Sequence, residues 1–201
     1  SRFLKIIVLW YEKEKRKSVK MTIICKSFYS KNTLDVAKSL LGCVLCREFD
    51  SGEVLKGMIV ETEAYTQEDP ACHAFRGKTK RAATLFKSPG LAYVYLIYGM
   101  YNCMNVVTEE EGRGCAVLIR AIEPIGDFGG TNGPGKLCRA MEITRELNEV
   151  DLTSPLSALR IEKGKTIPES EIVCTTRIGI SSGTELKWRF YIKNNQWVSK
   201  F

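Results

Sequence analysis

Residues 44–65 read VLCREFDSGEVLKGMIVETEAY, and this stretch carries the clearest indication of the fold. Val44 to Phe49 and Val54 to Tyr65 are runs of strand-forming side chains. The turn-forming residues Asp50-Ser51-Gly52 lie between them, so we predict that the two runs pair as a β-hairpin.

The sequence on either side of this hairpin predicts a helix and a second hairpin. Apolar residues recur with a helical period from Asn32 to Leu41, and Gly42 follows where a helix C-terminus favours glycine. Leu91 to Ile97 and Asn102 to Thr108 are β-prone runs around the tip Tyr98-Gly99-Met100-Tyr101. Large apolar side chains at a turn are unusual on the surface of a soluble protein.

The second half of the chain predicts a central strand, another helix and shorter strands. Gly114 to Pro124 is apolar except for Arg120, a charge that needs a partner in such a strand. Gly133 to Leu147 is predicted as a helix with Pro134 in its first turn. Further strand-like runs are Leu159 to Ile161, Ile172 to Ile180 and Trp188 to Val198.

Length and composition suit one globular domain. The chain has 201 residues, of which 44% are apolar and 26% charged, which excludes a disordered tail or a collagen-like polymer. No apolar run approaches the ~20 residues of a membrane span, and the run from Phe3 to Trp10 lacks a signal-peptide cleavage site. We therefore expect a cytoplasmic protein without a membrane partner, and we interpret residues 1–20 as an N-terminal extension or a poorly ordered arm.

Positive charge concentrates in residues 1–20, which carry a net charge of +5, and in one internal stretch. The net charge is +7, which admits a polyanionic partner without requiring one. Pro70 to Thr108 contains no acidic residue, and Thr66 to Pro89 has no helical or strand period and holds the only histidine, His73. We predict that Thr66 to Pro89 is a functional loop. The basic residues and tyrosines of the longer stretch are Arg76, Lys78, Lys80, Arg81, Lys87, Tyr93, Tyr95, Tyr98 and Tyr101.

The eight cysteines are scattered through apolar segments, which is typical of reduced, buried thiols and not of a secreted disulfide scaffold. Cys43 and Cys46 form a CxxC pair, but the chain has no second such pair and only one histidine. Because a zinc site needs three or four protein ligands, we predict no metal site here.

Glu61 and Glu63 are candidates for acid–base chemistry. Two residues apart on a strand, they share one face, with Cα atoms about 6.5–7 Å apart. Two carboxylates at that distance push their pKa values apart, so that one becomes a base and the other a structural charge. Arg120 is the natural counter-charge for the pair. The spacing also fits two solvated carboxylates at the end of a half-exposed strand.

The tip of the second hairpin has two interpretations as well. Its apolar side chains fit an interface or a core contact. Beside a basic loop, however, flat side chains on a rigid hairpin are suited to wedging open a base stack. Tyr65, Tyr93 and Tyr95 would then supply aromatic faces for an extruded base.

Seven ordered motifs, which extend from about residue 30 to the end of the chain, resemble the 3-methyladenine (alkyladenine) DNA glycosylase family. The motifs are IVETEAY (Ile59 to Tyr65), DPACHAFRGKT (Asp69 to Thr79), AYVYLIYGMYNCMNVV (Ala92 to Val107), LIRAIEP (Leu118 to Pro124), GPGKLCRAM (Gly133 to Met141), TRIGI (Thr176 to Ile180) and RFYI (Arg189 to Ile192).

The resemblance implies an α/β fold, a single mixed domain over residues 21–201 with a curved, largely antiparallel sheet and peripheral helices, like the carboxy-terminal domain of methionyl-tRNA formyltransferase. It implies a monofunctional glycosylase of base excision repair that needs no cofactor and no metal. Its partner would be double-stranded DNA with damaged purines, namely 3-methyladenine, 7-methylguanine, hypoxanthine or ethenoadenine. We expect a monomer, associated with the nucleoid in a prokaryote or located in the nucleus of a eukaryote.

The resemblance also implies a role for individual residues. Glu63 matches the general base that activates a water, while Arg120 and the backbone carbonyl of Ile178 match groups that position that water. The base pocket would be formed by Tyr65, His73, Tyr95 and Asn105, the last of which disfavours the 2-amino group of guanine. Tyr98, with Met100 beside it, matches the residue that intercalates into DNA. The expected DNA-binding residues are Arg76, Lys78, Lys80, Arg81 and Lys136.

The chain departs from the family pattern at Ala82 and Leu85, where members usually carry asparagine and methionine, and this puts the packing of the loop in question. Two other functions fit parts of the sequence. A nucleic-acid-binding module would keep the basic loop and the hairpin tip but would not need Glu63. A glycosidase acting on free sugars would use the two glutamates but not the apolar tip.

Overall fold

The hairpin of residues 44–65 lies inside an eight-stranded antiparallel sheet. This arrangement is seen in a computed structural model that describes residues 23–199. The strands are β1 Val44–Glu48, β2 Val54–Tyr65, β3 Ala92–Ile97, β4 Tyr101–Val107, β5 Ala116–Ile125, β6 Leu159–Glu162, β7 Ile172–Thr175 and β8 Arg189–Ile192. The α-helices are α1 Lys26–Tyr29, α2 Thr33–Ser39 and α3 Pro134–Ala140, with short 3-10 helices at Ala83–Phe86, Arg145–Leu147 and Glu169–Glu171.

Strand β2 is central to the sheet because, on one of its sides, it pairs first with β1 and then with β8. The main strand order is β3-β4-β5-β2-β1-β6. The first part of β2 pairs with β1, whereas Glu61 to Glu63 pair with β8, which in turn pairs with β7. Register shifts between Ile59 and Thr62 mark a β-bulge at this exchange. A bulge bends and twists a strand, which curls the sheet around the end of β2.

The helices cover the apolar faces of the sheet. Val36 and Ala37 of α2 are buried against it, and the Asn32 side chain caps this helix by accepting from the Leu34 N–H at 3.0 Å. Helix α3 packs on β4 and β5 through Leu137 and the neighbouring Cys138. The fold is therefore the predicted mixed α/β domain with a curled antiparallel sheet and few helices, and that prediction is confirmed.

The predicted helix Gly133 to Leu147 is too long. Helix α3 ends at Ala140, because Glu142 adopts a positive φ of 50° and the Thr144 side chain caps a new 3-10 turn. The predicted strands Ile172 to Ile180 and Trp188 to Val198 also end early, at Thr175 and Ile192. Residues 176–180 leave the sheet and approach β2, where the Ile178 N–H donates to Glu63.

The cysteines are all free thiols, and six of the eight are buried. Cys25 and Cys174 are exposed, so the prediction of buried thiols is wrong for these two. The predicted extension at residues 1–20 lies outside the described residues. Between residues 23 and 199, no helix has both the length and the apolar character needed to cross a membrane.

Candidate active site

A cavity of about 670 Å³ opens between the β3–β4 hairpin, the ends of β2 and β5, and the loops that precede α3 and follow β7. Glu63 is fully buried directly behind the cavity wall and contacts three of the residues that form it. Of the residues predicted for the site, the cavity is lined by Tyr65, His73, Tyr95, Tyr98, Asn105, Arg120, Lys136 and Ile178.

Glu63 is held by donors on both of its carboxylate oxygens. Its Oε2 accepts from the Tyr65 hydroxyl at 2.8 Å, and its Oε1 accepts from the Ile178 N–H at 2.8 Å. The Nη1 of Arg120 lies 3.3 Å from Oε1. The carboxylate is thus fixed in orientation and compensated in charge although its side chain is not exposed to bulk solvent.

Glu61 is also fully buried, so the alternative interpretation of two solvated carboxylates is wrong. Its Oε1 accepts from the Arg189 Nε at 2.6 Å, and the Arg120 Nε lies 3.3 Å from the same atom. Two arginines therefore balance two buried glutamates. Ser199 adds its backbone N–H and its hydroxyl as further donors to Glu61, at 2.7 and 2.9 Å.

An aromatic wall stands opposite this charged cluster. The rings of His73 and Tyr95 meet edge to face with centroids 4.6 Å apart, and His73 Nδ1 lies 2.9 Å from the Tyr93 hydroxyl. Because the Tyr93 hydroxyl donates to the Arg81 carbonyl at 3.2 Å, we assign the proton of this pair to His73 Nδ1. Burial, assisted by the nearby Arg81 charge, lowers the pKa of His73 from its ordinary 6.5 to about 4, so the ring is neutral at pH 7.

Tyr65 forms a second aromatic face and is braced from behind. The Arg177 guanidinium lies 4.7 Å from its ring centroid and forms a buried bidentate ion pair with Asp69. Arg177 also donates to the Ala64 carbonyl at 2.9 Å. Burial, together with the Glu63 charge, raises the pKa of Tyr65, which keeps its hydroxyl protonated as a donor.

Asn105 fixes one corner of the cavity. It lies on β4, is buried, and donates its side-chain Nδ2 to the Tyr93 carbonyl at 3.1 Å. Ala82 and Leu85, where the chain departs from the family pattern, pack in the same small apolar cluster as Tyr93, and Leu85 lines the cavity. The departure therefore lies at the back of the candidate site.

The tip of the β3–β4 hairpin projects into solvent. Tyr98 and Gly99 both have positive φ, and the Met100 N–H donates to the Ile97 carbonyl at 3.2 Å within the three-residue loop between Ile97 and Tyr101. The side chain of Tyr98 is 80% exposed and that of Met100 is 67% exposed. The prediction of large apolar side chains at this tip is confirmed, and nothing within residues 23–199 covers them.

The predicted DNA-binding cations are Arg76, Lys78, Lys80, Arg81 and Lys136. All five are exposed, and no carboxylate between residues 23 and 199 lies within ion-pair distance of any of them. Lys136 donates to the Asn132 side chain at 3.2 Å and lies at the cavity, whereas the other four belong to the loop before β3. Their charges are available to an anionic partner.

Four residues that hold this site together were not predicted from the sequence: Asp69, Arg177, Arg189 and Ser199. The two arginines and Asp69 lie inside family motifs but had no predicted role. These ion pairs join residues that are far apart in the chain: Asp69 and Arg177 are 108 residues apart, and Glu61 and Arg189 are 128 residues apart. A local sequence pattern does not indicate such pairs.

Comparison with known proteins places the sequence of this chain among DNA glycosylases. The family model of methylpurine-DNA glycosylase (MPG) matches residues 27–196. A protein of Carboxydothermus hydrogenoformans is 50% identical over 89% of this chain and 99% of its own length, and one of Methanocella arvoryzae is 46% identical over 90% and 97%. A protein of Herpetosiphon aurantiacus is 42% identical over 88% of each chain. All three carry the provisional name 3-methyladenine DNA glycosylase.

Proposed function

The chain belongs to the methylpurine-DNA glycosylase family, and from this premise we propose that it is a DNA-3-methyladenine glycosylase. It hydrolyses the N-glycosidic bond of damaged purines in duplex DNA and leaves an abasic site. The observation that carries the proposal is Glu63, a buried carboxylate held at the wall of an aromatic cavity by Tyr65, Arg120 and Ile178.

In the proposed reaction Glu63 is the general base. It takes a proton from a water whose oxygen attacks C1′ of the flipped nucleotide. The bond between C1′ and the purine nitrogen breaks, and its electron pair leaves with the base. A cationic base such as 3-methyladenine departs as a neutral molecule, so modest base catalysis is enough. Arg120 places a positive charge beside Glu63, and the Ile178 carbonyl accepts a hydrogen bond from the other O–H of the water.

The aromatic cavity receives the extruded base. Tyr65 stacks on one side of it, and His73 with Tyr95 forms the other side. The Asn105 amide nitrogen is oriented by its bond to Tyr93 and presents a donor group. The 2-amino group of guanine is also a donor, so normal guanine is disfavoured at this position.

The hairpin tip and the basic loop hold the DNA. Tyr98 enters the gap left by the extruded nucleotide, and Met100 packs beside it, since both are exposed on a rigid turn. Arg76, Lys78 and Lys80 neutralise phosphates of the duplex, together with Arg81 and Lys136. We expect DNA binding to weaken as salt is raised.

The test is release of bases from duplexes that carry one hypoxanthine or ethenoadenine, and from methylated DNA, read as alkali-induced strand cleavage. Wild type should release at least one lesion. Glu63→Gln should bind the same duplex but release the damaged base at least ~10²-fold more slowly, since general-base catalysis usually contributes a factor of this size. Glu123→Gln is the matched control: Glu123 also lies on a strand but bonds Asn195, so its release rate should equal wild type.

Two outcomes contradict the proposal. If wild type binds the duplexes but releases no base, the protein is a recognition module. If it cleaves a nitrophenyl glycoside and leaves DNA intact, it acts on free sugars. Release that persists unchanged in Glu63→Gln would remove Glu63 from the mechanism while leaving the glycosylase activity in place.

A further inference from the structure

We propose that Ser199 is a positioning residue of this site. It donates hydrogen bonds to both carboxylate oxygens of Glu61, so that Arg120 stays available to Glu63. The inference rests on the proposed glycosylase function and extends it to a residue beyond the family motifs identified above. Ser199 is 5% exposed and lines the cavity, although it lies seven residues beyond the end of β8.

Within residues 23–199, every hydrogen bond of Ser199 is made to the charged cluster. Its N–H donates to Glu61 Oε2 at 2.7 Å, and its hydroxyl donates to Glu61 Oε1 at 2.9 Å. The hydroxyl oxygen accepts from Arg120 Nη2 at 3.5 Å, and the Ser199 carbonyl accepts from Arg189 Nη2 at 3.4 Å. One hydroxyl therefore bridges Glu61 and Arg120, using its single proton and one of its lone pairs.

Arg120 is shared between two carboxylates at equal distance. Its Nε lies 3.3 Å from Glu61 Oε1, and its Nη1 lies 3.3 Å from Glu63 Oε1. Its Nε has no partner in good hydrogen-bond geometry within the described chain, so this contact is an ion pair only. By contrast, Arg189 contacts Glu61 at 2.6 Å. Arg120 is thus the side chain that moves if one glutamate comes to attract it more strongly than the other.

Ser199 determines how Arg120 is shared between Glu61 and Glu63. Because Arg189 and Ser199 already donate to both oxygens of Glu61, Arg120 gains little by turning further toward Glu61. Replacing the hydroxyl by hydrogen leaves Glu61 short of one donor and removes the acceptor beside Arg120 Nη2. Both changes draw Arg120 toward Glu61 and away from Glu63, and the proposed base then loses its cation.

The expected result is a loss of rate without a loss of affinity. In Ser199→Ala, the single-turnover rate of base release should fall by about tenfold, since losing one charge-assisted contact corresponds to that factor. The DNA concentration at half-maximal rate should stay within twofold, because neither the aromatic walls nor the exposed cations change. Ser199→Thr keeps the hydroxyl and should stay within threefold of the wild-type rate.

The decisive comparison is a double-mutant cycle with Glu61→Gln, measured in the full chain together with thermal unfolding of every variant. If Ser199 acts through the Glu61 charge, Ser199→Ala should slow the reaction less than twofold in the Glu61→Gln background. The matched control is Ser157→Ala, which removes a hydroxyl that donates to the Asp151 carbonyl outside the cavity, and its rate should equal wild type.

The inference is overturned if Ser199→Ala releases bases at the wild-type rate. It is also overturned if Ser199→Thr loses as much as Ser199→Ala at equal thermal stability, or if the loss is the same with and without Glu61. These results leave the proposed function intact, because wild type still releases bases. A wild-type protein that releases no base from any lesion overturns the proposed function first.

Discussion

Glu63 is held by two hydrogen-bond donors and one ion-pair partner, which come from three separate parts of the chain. Tyr65 lies two residues further along the same strand, Arg120 comes from β5, and Ile178 comes from the loop after β7. Each contact restricts a different movement of the carboxylate. A buried carboxylate that is held in this way changes its position little when charge develops nearby, and such preorganisation favours catalysis.

His73 provides a pH-dependent signal that is free of overlap, because it is the only histidine among 201 residues. Burial and the Arg81 charge lower its pKa from 6.5 to about 4. We therefore expect the single imidazole resonance in a proton NMR titration of the folded protein to shift with a midpoint near 4. A midpoint near 6.5 would show that the ring is solvated and does not form the aromatic wall.

The same shift has a consequence for stability. The folded pKa of His73 lies below the unfolded one, so the unfolded chain binds the proton first as the pH falls. This group should therefore destabilise the protein progressively from pH 6.5 down to about 4 and have no effect above that range. At pH 4.5 the loss should be about 2 kcal/mol relative to a His73→Gln variant, measured by denaturant unfolding of both at pH 7.5 and 4.5.

At the scale of elements, the buried pair of Asp69 and Arg177 joins two loops that both reach the cavity. Asp69 begins the loop that carries His73, and Arg177 is next to Ile178. Breaking one partner of a buried ion pair leaves the other charge uncompensated, which costs about 3–5 kcal/mol. The pair thus makes the positions of the aromatic wall and of the Glu63 contact dependent on each other.

Gly183 tests this link from outside the pair. Its φ is +60°, and an added Cβ would lie 2.8 Å from Asp69 Oδ1 and 3.0 Å from Arg177 Nη2. We expect Gly183→Ala to lower the free energy of unfolding by about 2–4 kcal/mol, since the ion pair must shift in addition to the backbone strain.

Gly52 is the matched control for that substitution. It has a φ of +85° but no atom within 4 Å of an added Cβ, so Gly52→Ala should cost only the backbone term of about 1 kcal/mol. Denaturant unfolding of the two variants measures the difference. Equal losses would mean that the ion pair tolerates displacement and does not tie the loops together.

Local pattern was sufficient for some elements and failed for others. The bounds of β2 were predictable because a turn precedes a long run of strand-forming residues, and Asn32 marked the start of α2, whereas this helix ends at Ser39, two residues before the predicted end at Leu41. The end of α3 was not, because Glu142 reads as an ordinary helical residue and only the packed structure puts it at positive φ. Residues 176–180 also read as a strand, but their backbone bonds Glu63 instead.

At the scale of the whole molecule, some residues of the candidate site were predictable from the sequence and others were not. Glu63 and Arg120 were identifiable as charges in apolar strands, and Tyr98 as an apolar side chain at a turn. Arg189 and Ser199 were not, since a charged or polar residue near a strand end is usually solvated. Only the exchange of neighbours along β2 brings them to Glu61.

The distribution of charge over the whole molecule leads to a prediction about salt. The exposed cations Arg76, Lys78, Lys80 and Arg81 of the basic loop lie at the β3 side of the sheet, while Lys163 and Lys165 are exposed just beyond β6, the other end of the strand order. If Lys78 and Lys80 each contact one phosphate, replacing both by alanine should reduce the slope of log K against log salt by about 2.

Replacing Lys163 and Lys165 removes the same charge from the opposite edge and is the matched control. Its slope should stay at the wild-type value, because counterions are released only where the cations contact phosphates. The measurement is binding of a lesion duplex at several salt concentrations in the Glu63→Gln background, where the substrate survives. If both double variants lower the slope equally, binding follows net charge alone. The DNA then does not lie along the basic loop, and the hairpin tip would have no duplex to enter.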